Sequence, residues 1–380
     1  MSLQNSNTYC PLPWAHRYVT THGNALPCCA FKSKNKSPDF QAIKHSMLNG
    51  KEVDGCRSCY SNEKAGVHSL RQSSIEKYGT PEEVVSSLEI SFDNICNFKC
   101  RSCNSLYSHL IREDEIKILG VPLTEKKYLS HNYHDKIDYE NLKKFAAHGG
   151  EPLLSPKFKA FCNRMLLHDS ITELCATITT NGSIVPQDDI YDFIISVKDL
   201  KVNISIDGYG KLNEYIRRSS DWALIAKNLD FFNKLISARG NKKTHINIHT
   251  TVSCYNVNKL QELDNFIENM FPKFTTSKAC VQSPEMFSIR NFPKEYKNQL
   301  MPFLEKYPDI IKILYQEPTK SFDYVVYMHN KYKELDQTSL EGKNDLLLDY
   351  LSNYSKINYN EEEAIQDHES VVTIVRNKDW

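Results

Sequence analysis

Three cysteines stand close together in the chain, at Cys96, Cys100 and Cys103. They follow a segment with the character of a β-strand, so we expect them on the loop that ends this strand. A cuboidal iron–sulfur cluster usually takes four cysteine ligands. Three cysteines on one loop would leave one iron of such a cluster open, and an open iron binds and activates another molecule. These three residues are therefore the first candidates for a catalytic metal centre.

Composition limits the classes of function that the chain can have. It has 380 residues, of which 40% are hydrophobic, and it carries 47 basic and 47 acidic residues. This length allows one large α/β domain with smaller additions. A balanced charge gives no overall attraction to nucleic acid or to an anionic membrane, so we expect neither as a partner. The chain has no signal-peptide pattern and no apolar run of membrane-spanning length, which predicts a cytoplasmic protein.

Eight of the 12 cysteines lie within the first 103 residues. In a cytoplasmic protein such clusters indicate metal binding rather than disulfides. Residues 1–85 have the pattern of a small, turn-rich module that metal binding would stabilise. Adjacent cysteines seldom reach the same metal, so we expect one of Cys28 and Cys29 to join three others. The spacing leaves open an iron–sulfur cluster, a structural zinc or no metal. The candidate ligands are Cys10, Cys28, Cys29, Cys56 and Cys59.

Strand-like and helix-like segments alternate from about residue 86 to 290, which is typical of a parallel sheet. Six such units predict an incomplete (β/α)6 barrel of the TIM type, with its active site at the carboxyl ends of the strands. Residues 291–380 predict a mostly helical extension, with a last strand at 371–375. The strands are predicted near 88–94, 144–148, 174–180, 201–206, 245–253 and 278–282.

Polar motifs follow three of these strands. After the second, Gly149 and Gly150 would let the backbone approach a ligand, and the Glu151 carboxylate would accept hydrogen bonds from an ammonium group. After the third, Thr180 and Asn181 offer hydroxyl and amide groups suited to a ribose or a carboxylate.

The fourth strand is followed by Ser205 and Asp207, and then by Arg217, whose guanidinium group could clamp a carboxylate. Simpler interpretations of these motifs are strand-to-helix turns at the glycines and at Asp207, and a solvated helical face at Arg217. The three cysteines of the first motif could also be half of a zinc site.

Taken together, the four motifs resemble those of the radical S-adenosylmethionine (SAM) enzymes over residues 85–290. The resemblance implies that Cys96, Cys100 and Cys103 hold a [4Fe-4S] cluster whose open iron binds the amino and carboxylate groups of SAM. Reduction would then cleave SAM to methionine and a 5′-deoxyadenosyl radical, which abstracts a hydrogen atom from a substrate. Ser102 stands where many members have an aromatic residue. The implied SAM contacts are Gly149, Gly150 and Glu151 to the amino group, Thr180, Asn181, Ser205 and Asp207 to the ribose or methionyl part, and Arg217 to the carboxylate.

The N-terminal cysteines resemble the auxiliary-cluster modules called SPASM and twitch domains, although those usually follow the radical core. This resemblance implies a second [4Fe-4S] cluster, with zinc as the alternative. It also implies an oxidoreductase or modifying enzyme that takes electrons from a donor such as flavodoxin or ferredoxin. Its substrate would be a peptide, a protein side chain or a small molecule. The alternative from another class is a zinc-stabilised binding protein without catalytic activity.

Cys254 follows the fifth strand of the predicted barrel. We expect it at the barrel mouth, where a thiol could return a hydrogen atom to a substrate radical. A core or surface thiol is the simpler interpretation.

Overall fold

The computed structural model describes residues 7–32, 38–64, 66, 68–80, 83–120, 137–336 and 338–377. Its main sheet has eight strands in the order β10-β9-β7-β6-β5-β3-β1-β2, and a separate ribbon pairs β4 with β8. The strands are β1 His16–Val19, β2 Ala25–Leu26, β3 Ser87–Ser91, β4 Lys99–Cys100, β5 Lys144–His148, β6 Cys175–Thr180, β7 Asp199–Ser205, β8 Arg217–Arg218, β9 Thr244–Val252 and β10 Thr275–Cys280.

The described helices alternate with the strands in the middle of the chain and follow one another after it. They are α1 Leu12–Ala15, α2 Phe40–Leu48, α3 Arg57–Lys64, α4 Leu70–Tyr78, α5 Arg112–Leu119, α6 Pro156–Met165, α7 Asp188–Ser196, α8 Lys211–Ile216, α9 Trp222–Ala238, α10 Leu260–Met270, α11 Lys294–Leu304, α12 Pro308–Leu314, α13 Phe322–Asp336, α14 Asp345–Ile357 and α15 Glu361–Asn377. No helix within the described ranges is long and apolar enough to cross a membrane.

Six strands, β3, β5, β6, β7, β9 and β10, are parallel neighbours in the sheet. They coincide with the six strands that the sequence predicts, so the α/β class with a TIM-like partial barrel is confirmed. The carboxyl ends of these strands meet at one edge of the sheet, and the predicted motifs follow them there.

The two faces of this sheet differ because side chains alternate along each strand. On β6, Ala176 and Ile178 belong to the large buried core, together with apolar residues of α6, α7, α9 and α10. Thr177 and Thr179 point to the opposite face and are half-buried. That second face, here called the inner face, is polar and is the surface on which the barrel sites open.

The N-terminal region is joined to the barrel through its first strand. β1 lies parallel to β3, with His16 opposite Ser87, and β2 pairs antiparallel with β1. The turn between them contains Gly23 at φ +80°, a conformation that favours glycine. β1 therefore covers an edge of β3 that would otherwise expose unpaired backbone groups. This pairing joins strands on both sides of the predicted domain boundary at residue 85.

The helical extension packs on a second buried core. The strand predicted at 371–375 is wrong, because these residues lie in α15, which packs against α13. The first turn of α15 carries Glu361, Glu362 and Glu363, whose negative charges are favourable at the N-terminus of a helix. A run of β-branched residues predicts a strand only when a neighbouring strand is there to pair with it.

Candidate functional site

The cysteine loop, residues 92–103, begins where β3 ends. It contains β4, which pairs with β8 so that Cys100 lies opposite Arg217. The backbone N–H of Arg101 extends this pairing by donating to the carbonyl of Ile216 at 2.9 Å. The ribbon thus brings Arg217 to the cysteines, and its Nη1 lies 4.0 Å from Cys100 Sγ. Sequence reasoning allowed Arg217 to be a solvated helical residue, and the structure places it at the loop instead.

The three thiols of the loop are close enough to influence one another. Burial raises the pKa of Cys100 to about 12, and Cys96 adds to this while Arg217 opposes it. Burial and the neighbouring Cys100 also raise the pKa of Cys103. Three such thiols would ionise together only if a strong positive charge lay among them, as a bound metal centre provides.

Gly149 and Gly150 allow the loop after β5 to pack directly on the cysteine loop. A Cβ atom on Gly150 would lie 2.1 Å from the carbonyl oxygen of Ile95, and one on Gly149 would lie 2.7 Å from that of Asp93. The Gly150 N–H donates to the Asp93 carbonyl at 2.9 Å, and the Glu151 N–H donates to the Ile95 carbonyl at 2.7 Å. The sequence interpretation assigned the glycines to a ligand, whereas in the structure they make room for backbone.

Glu151 joins the loops after β5 and β6. Its buried carboxylate accepts hydrogen bonds from the Thr180 hydroxyl at 2.8 Å, the Asn181 N–H at 2.7 Å and the Leu153 N–H at 3.1 Å. Burial raises the pKa of Glu151 to about 7, and these three bonds offset part of that effect. Because a carboxylate has about four acceptor positions, these three bonds use most of them.

A pair of asparagines ties the cysteine loop to the loop after β6. The Asn181 side-chain amide donates to the side-chain Oδ1 of Asn97 at 2.8 Å, and the Asn97 side-chain amide donates to the Ser183 hydroxyl at 2.9 Å. Sequence reasoning did not select Asn97 or Ser183. The position of Asn97 between two candidate ligands was the signal that could have identified it.

Asp207 forms a buried ion pair with Arg217 and so positions it. Its side chain is fully buried, and its Oδ2 lies 2.8 Å from Arg217 Nε. Its other oxygen accepts the Thr251 N–H at 2.8 Å. Asp207 is thus used within the protein and does not face a ribose, contrary to the sequence expectation. Ser205, by contrast, ends β7 on the inner face and is half-buried.

A second group of thiols lines a cavity in the N-terminal region. Cys10, Cys28, Cys56 and Cys59 surround it, beside Arg71. Burial raises the pKa of Cys28 to about 12, and the nearby Cys10 and Cys59 raise it further. The Arg71 charge opposes these effects at Cys10 and Cys56. We call this group the four-cysteine cavity.

Cys29 does not join this cavity. Cys29 is an exposed residue near the carboxylate of Glu89. Glu89 stands on the inner face, with its oxygens 3.4 Å from His148 Nε2 and 3.7 Å from His16 Nε2. Of the two adjacent cysteines, Cys28 is therefore the one that the structure brings to the other three.

Cys254 is enclosed by the helical extension. It is 2% exposed and belongs to the second buried core, and its N–H donates to the Phe287 carbonyl at 2.9 Å. The expected position at the barrel mouth is therefore wrong. The residue has the surroundings of a core thiol, because the helices after residue 290 cover the chain that follows β9.

Both thiol groups combine cysteine sulfurs with a neighbouring arginine. Within the described ranges, no three His, Cys, Asp or Glu side chains are arranged to hold one metal ion. A cuboidal cluster attaches each cysteine to a different iron, so its ligands stand farther apart than those of one zinc ion. The neighbouring arginine, Arg217 at the loop and Arg71 at the cavity, balances negative thiolates.

Comparisons with known proteins give limited similarity. No protein-family model and no curated protein matches the chain. Among solved structures, native anSMEcpe with bound AdoMet matches with 16% identity and a TM-score of 0.40, over 58% of this chain and 60% of that one. Streptococcus suis SuiB bound to S-adenosylmethionine matches with 18% identity and a TM-score of 0.38, over 72% and 58%. The chain thus spans about 60% of the length of these structures.

Proposed function

We propose that the chain is a radical SAM enzyme that holds a SAM-binding [4Fe-4S] cluster on Cys96, Cys100 and Cys103. The observation that carries this proposal is the convergence of distant motifs on the cysteine loop. The loop after β5 packs on it through Gly150, the loop after β6 bonds to it through Asn181, and β8 pairs with it at Arg217. Three thiols without a fourth ligand on their loop suit a cluster with one open iron.

The residues around the loop have separate tasks in this proposal. When bound, the cluster supplies the electron that cleaves SAM and so generates a radical able to abstract a hydrogen atom. Arg217 places positive charge beside Cys100 and so favours its thiolate form. Asp207 holds the Arg217 guanidinium in place, and the remaining acceptor position of Glu151 is available to the ammonium group of SAM. The Ser205 hydroxyl is available to the ribose from the inner face.

We further infer that the four-cysteine cavity holds an auxiliary [4Fe-4S] cluster with four protein ligands. Cys10, Cys28, Cys56 and Cys59 line one cavity, and this supports full ligation. A fully ligated cluster has no open iron for substrate, so its role would be electron transfer. A structural zinc on the same four cysteines is the alternative, and metal analysis distinguishes the two.

The inner face offers a polar surface for a substrate. Glu89, His148, Thr179, Asn203 and His249 present acceptors and donors there. These groups suit the polar backbone and side chains of a peptide or protein, which is the substrate that the resemblance implies, with a small alcohol as the alternative. The reaction would be an oxidation or related modification, and an external donor such as flavodoxin or ferredoxin would supply electrons.

Anaerobic reconstitution tests this proposal. We expect about eight irons per chain, together with matching sulfide. Addition of SAM and dithionite should release 5′-deoxyadenosine. Cys96→Ala should abolish this release, whereas Cys162→Ala, in the barrel core, should retain it. Zinc without iron would support the binding-protein alternative, and a fully loaded protein that does not cleave SAM would overturn the proposal.

A further inference from the structure

We propose that Asp336, in the helical extension, is a positioning residue for the cysteine loop. The proposal rests on the function proposed above, since it assigns the extension a part in building the SAM-cluster site. Asp336 ends α13, and its carboxylate contacts both strands of the β4–β8 ribbon through two arginines.

The first contact is with Arg101, which lies between Cys100 and Cys103. Arg101 is 1% exposed, and its Nη2 donates to Asp336 Oδ2 at 2.9 Å and also to the Thr338 hydroxyl. Its Nε donates to the Tyr215 carbonyl at 2.9 Å, and the guanidinium lies 4.2 Å from the centre of the Tyr215 ring. Arg101 is thus held on one side by the barrel and on the other by the extension.

The second contact is with Arg218, the neighbour of Arg217. Its Nε lies 2.6 Å from the same Asp336 oxygen, and its Nη1 lies 2.9 Å from Asp114 Oδ2. Because β4 and β8 pair with each other, one carboxylate of the extension fixes both strands of the ribbon that carries Cys100 and Arg217.

Within the described part of the chain, the carboxylate in contact with Arg101 is that of Asp336. The Nη1 of Arg101 already lacks a hydrogen-bond partner among the described residues. A buried guanidinium that loses its carboxylate moves toward water rather than remaining unpaired. Since Arg101 is bonded into the backbone between two cysteines, its movement would displace Cys100 and Cys103 from each other.

The test compares Asp336→Asn with Asp367→Asn in the full chain. Asp367 belongs to the same extension and accepts the Ser321 N–H at 2.9 Å and the Ser321 hydroxyl at 2.7 Å, but these contacts are all within the extension. In iron-free protein, iodoacetamide should alkylate Cys100 and Cys103 about 10-fold faster in Asp336→Asn than in the control, because their loop opens more often. After reconstitution, cluster affinity should fall ~10–100-fold by chelator titration.

Two further variants keep the proposal testable if Asp336→Asn fails to fold. Thr338→Val retains the carboxylate and should give a smaller change in the same direction, and Asp336→Glu should restore part of the wild-type protection. Equal alkylation of Cys100 and Cys103 in Asp336→Asn and Asp367→Asn would overturn the proposal. An equal increase in the alkylation rate of the core residue Cys162 would also overturn the proposal, since it would indicate general unfolding. Failure of loaded wild-type protein to cleave SAM would refute the proposed function but leave the alkylation comparison valid.

Discussion

Replacement of Gly150 by alanine tests whether the cysteine loop is held by direct backbone packing. The added Cβ would lie 2.1 Å from the Ile95 carbonyl oxygen, 2.7 Å from the Ile95 carbonyl carbon and 2.9 Å from that of Asn94. All three are backbone atoms, so no side-chain rotation relieves the clash. The loops must separate by more than 1 Å before the shortest contact reaches the 3.4 Å of ordinary van der Waals packing.

The expected cost follows from what this separation breaks. Two backbone hydrogen bonds cross the contact, from Gly150 N–H to Asp93 and from Glu151 N–H to Ile95. Each contributes about 1 kcal/mol to the free energy of unfolding. Overpacking adds about 1–3 kcal/mol. We therefore expect Gly150→Ala to lower the free energy of unfolding by about 3–5 kcal/mol.

Urea unfolding of iron-free protein measures this change. Gly240→Ala is the matched control, because Gly240 has φ +59° and no atom within 4 Å of an added Cβ. It should cost about 1–2 kcal/mol from backbone strain alone. After reconstitution, Gly150→Ala should also lose the share of iron bound at residues 96–103, whereas Gly240→Ala should retain it. Equal unfolding free energies and equal iron contents for the two variants would refute the packing argument.

Three further changes have defined outcomes. Asp207→Asn should lower the free energy of unfolding by about 3–5 kcal/mol, because it leaves the Arg217 charge buried and unpaired. The control is Asp309→Asn, which removes an exposed ion pair with Lys312 and should change the free energy of unfolding by less than about 0.5 kcal/mol. Equal losses of unfolding free energy in the two variants would contradict this prediction. Burial and the Arg101 charge lower the pKa of His329 to about 4, so the folded protein binds fewer protons than the unfolded chain as pH falls from about 6.5 to 4. Wild-type stability should therefore fall by up to about 1.4 kcal/mol per pH unit in that range, and a thermal-unfolding series should show a flatter profile for His329→Gln. Cys28→Ala should remove about four irons per chain and Cys29→Ala none, and iron counting that gave the reverse would move the auxiliary site to Cys29.

The strands and their common edge could be predicted from the sequence because strand-like and helix-like segments alternate in a βα repeat, and strands such as β6 and β7 alternate apolar and polar residues. That repeat leaves little choice of topology, so the polar residues after each strand had to gather at one edge. The sequence could not show which of Cys28 and Cys29 joins the other N-terminal cysteines. These two residues are adjacent in a bend of the chain, and only the packed structure shows that Cys28 lines the cavity with the other thiols.

Contacts between residues far apart in sequence were also beyond prediction. Arg101 and Asp336 are 235 residues apart, and neither stands in a recognisable pattern. Glu151 and Asp207 were selected for their carboxylates, which the sequence cannot assign to a ligand or to the protein. In the structure Glu151 accepts three hydrogen bonds from the protein, and Asp207 accepts one and forms an ion pair with Arg217. A carboxylate at a strand end is thus as well suited to holding the site together as to binding its ligand.

The two groups of thiols lie at different edges of the sheet. Cys10 precedes β1 and Cys28 follows the antiparallel β2, so the four-cysteine cavity is near the edge where the parallel strands begin. The cysteine loop lies where those strands end. Glu89 stands on the inner face, near Cys29 and 3.4 Å from His148 Nε2. His148 directly precedes Gly149 at the cysteine loop, and Cys29 directly follows Cys28. The inner-face pair of Glu89 and His148 therefore lies beside the chain segments that carry both thiol groups.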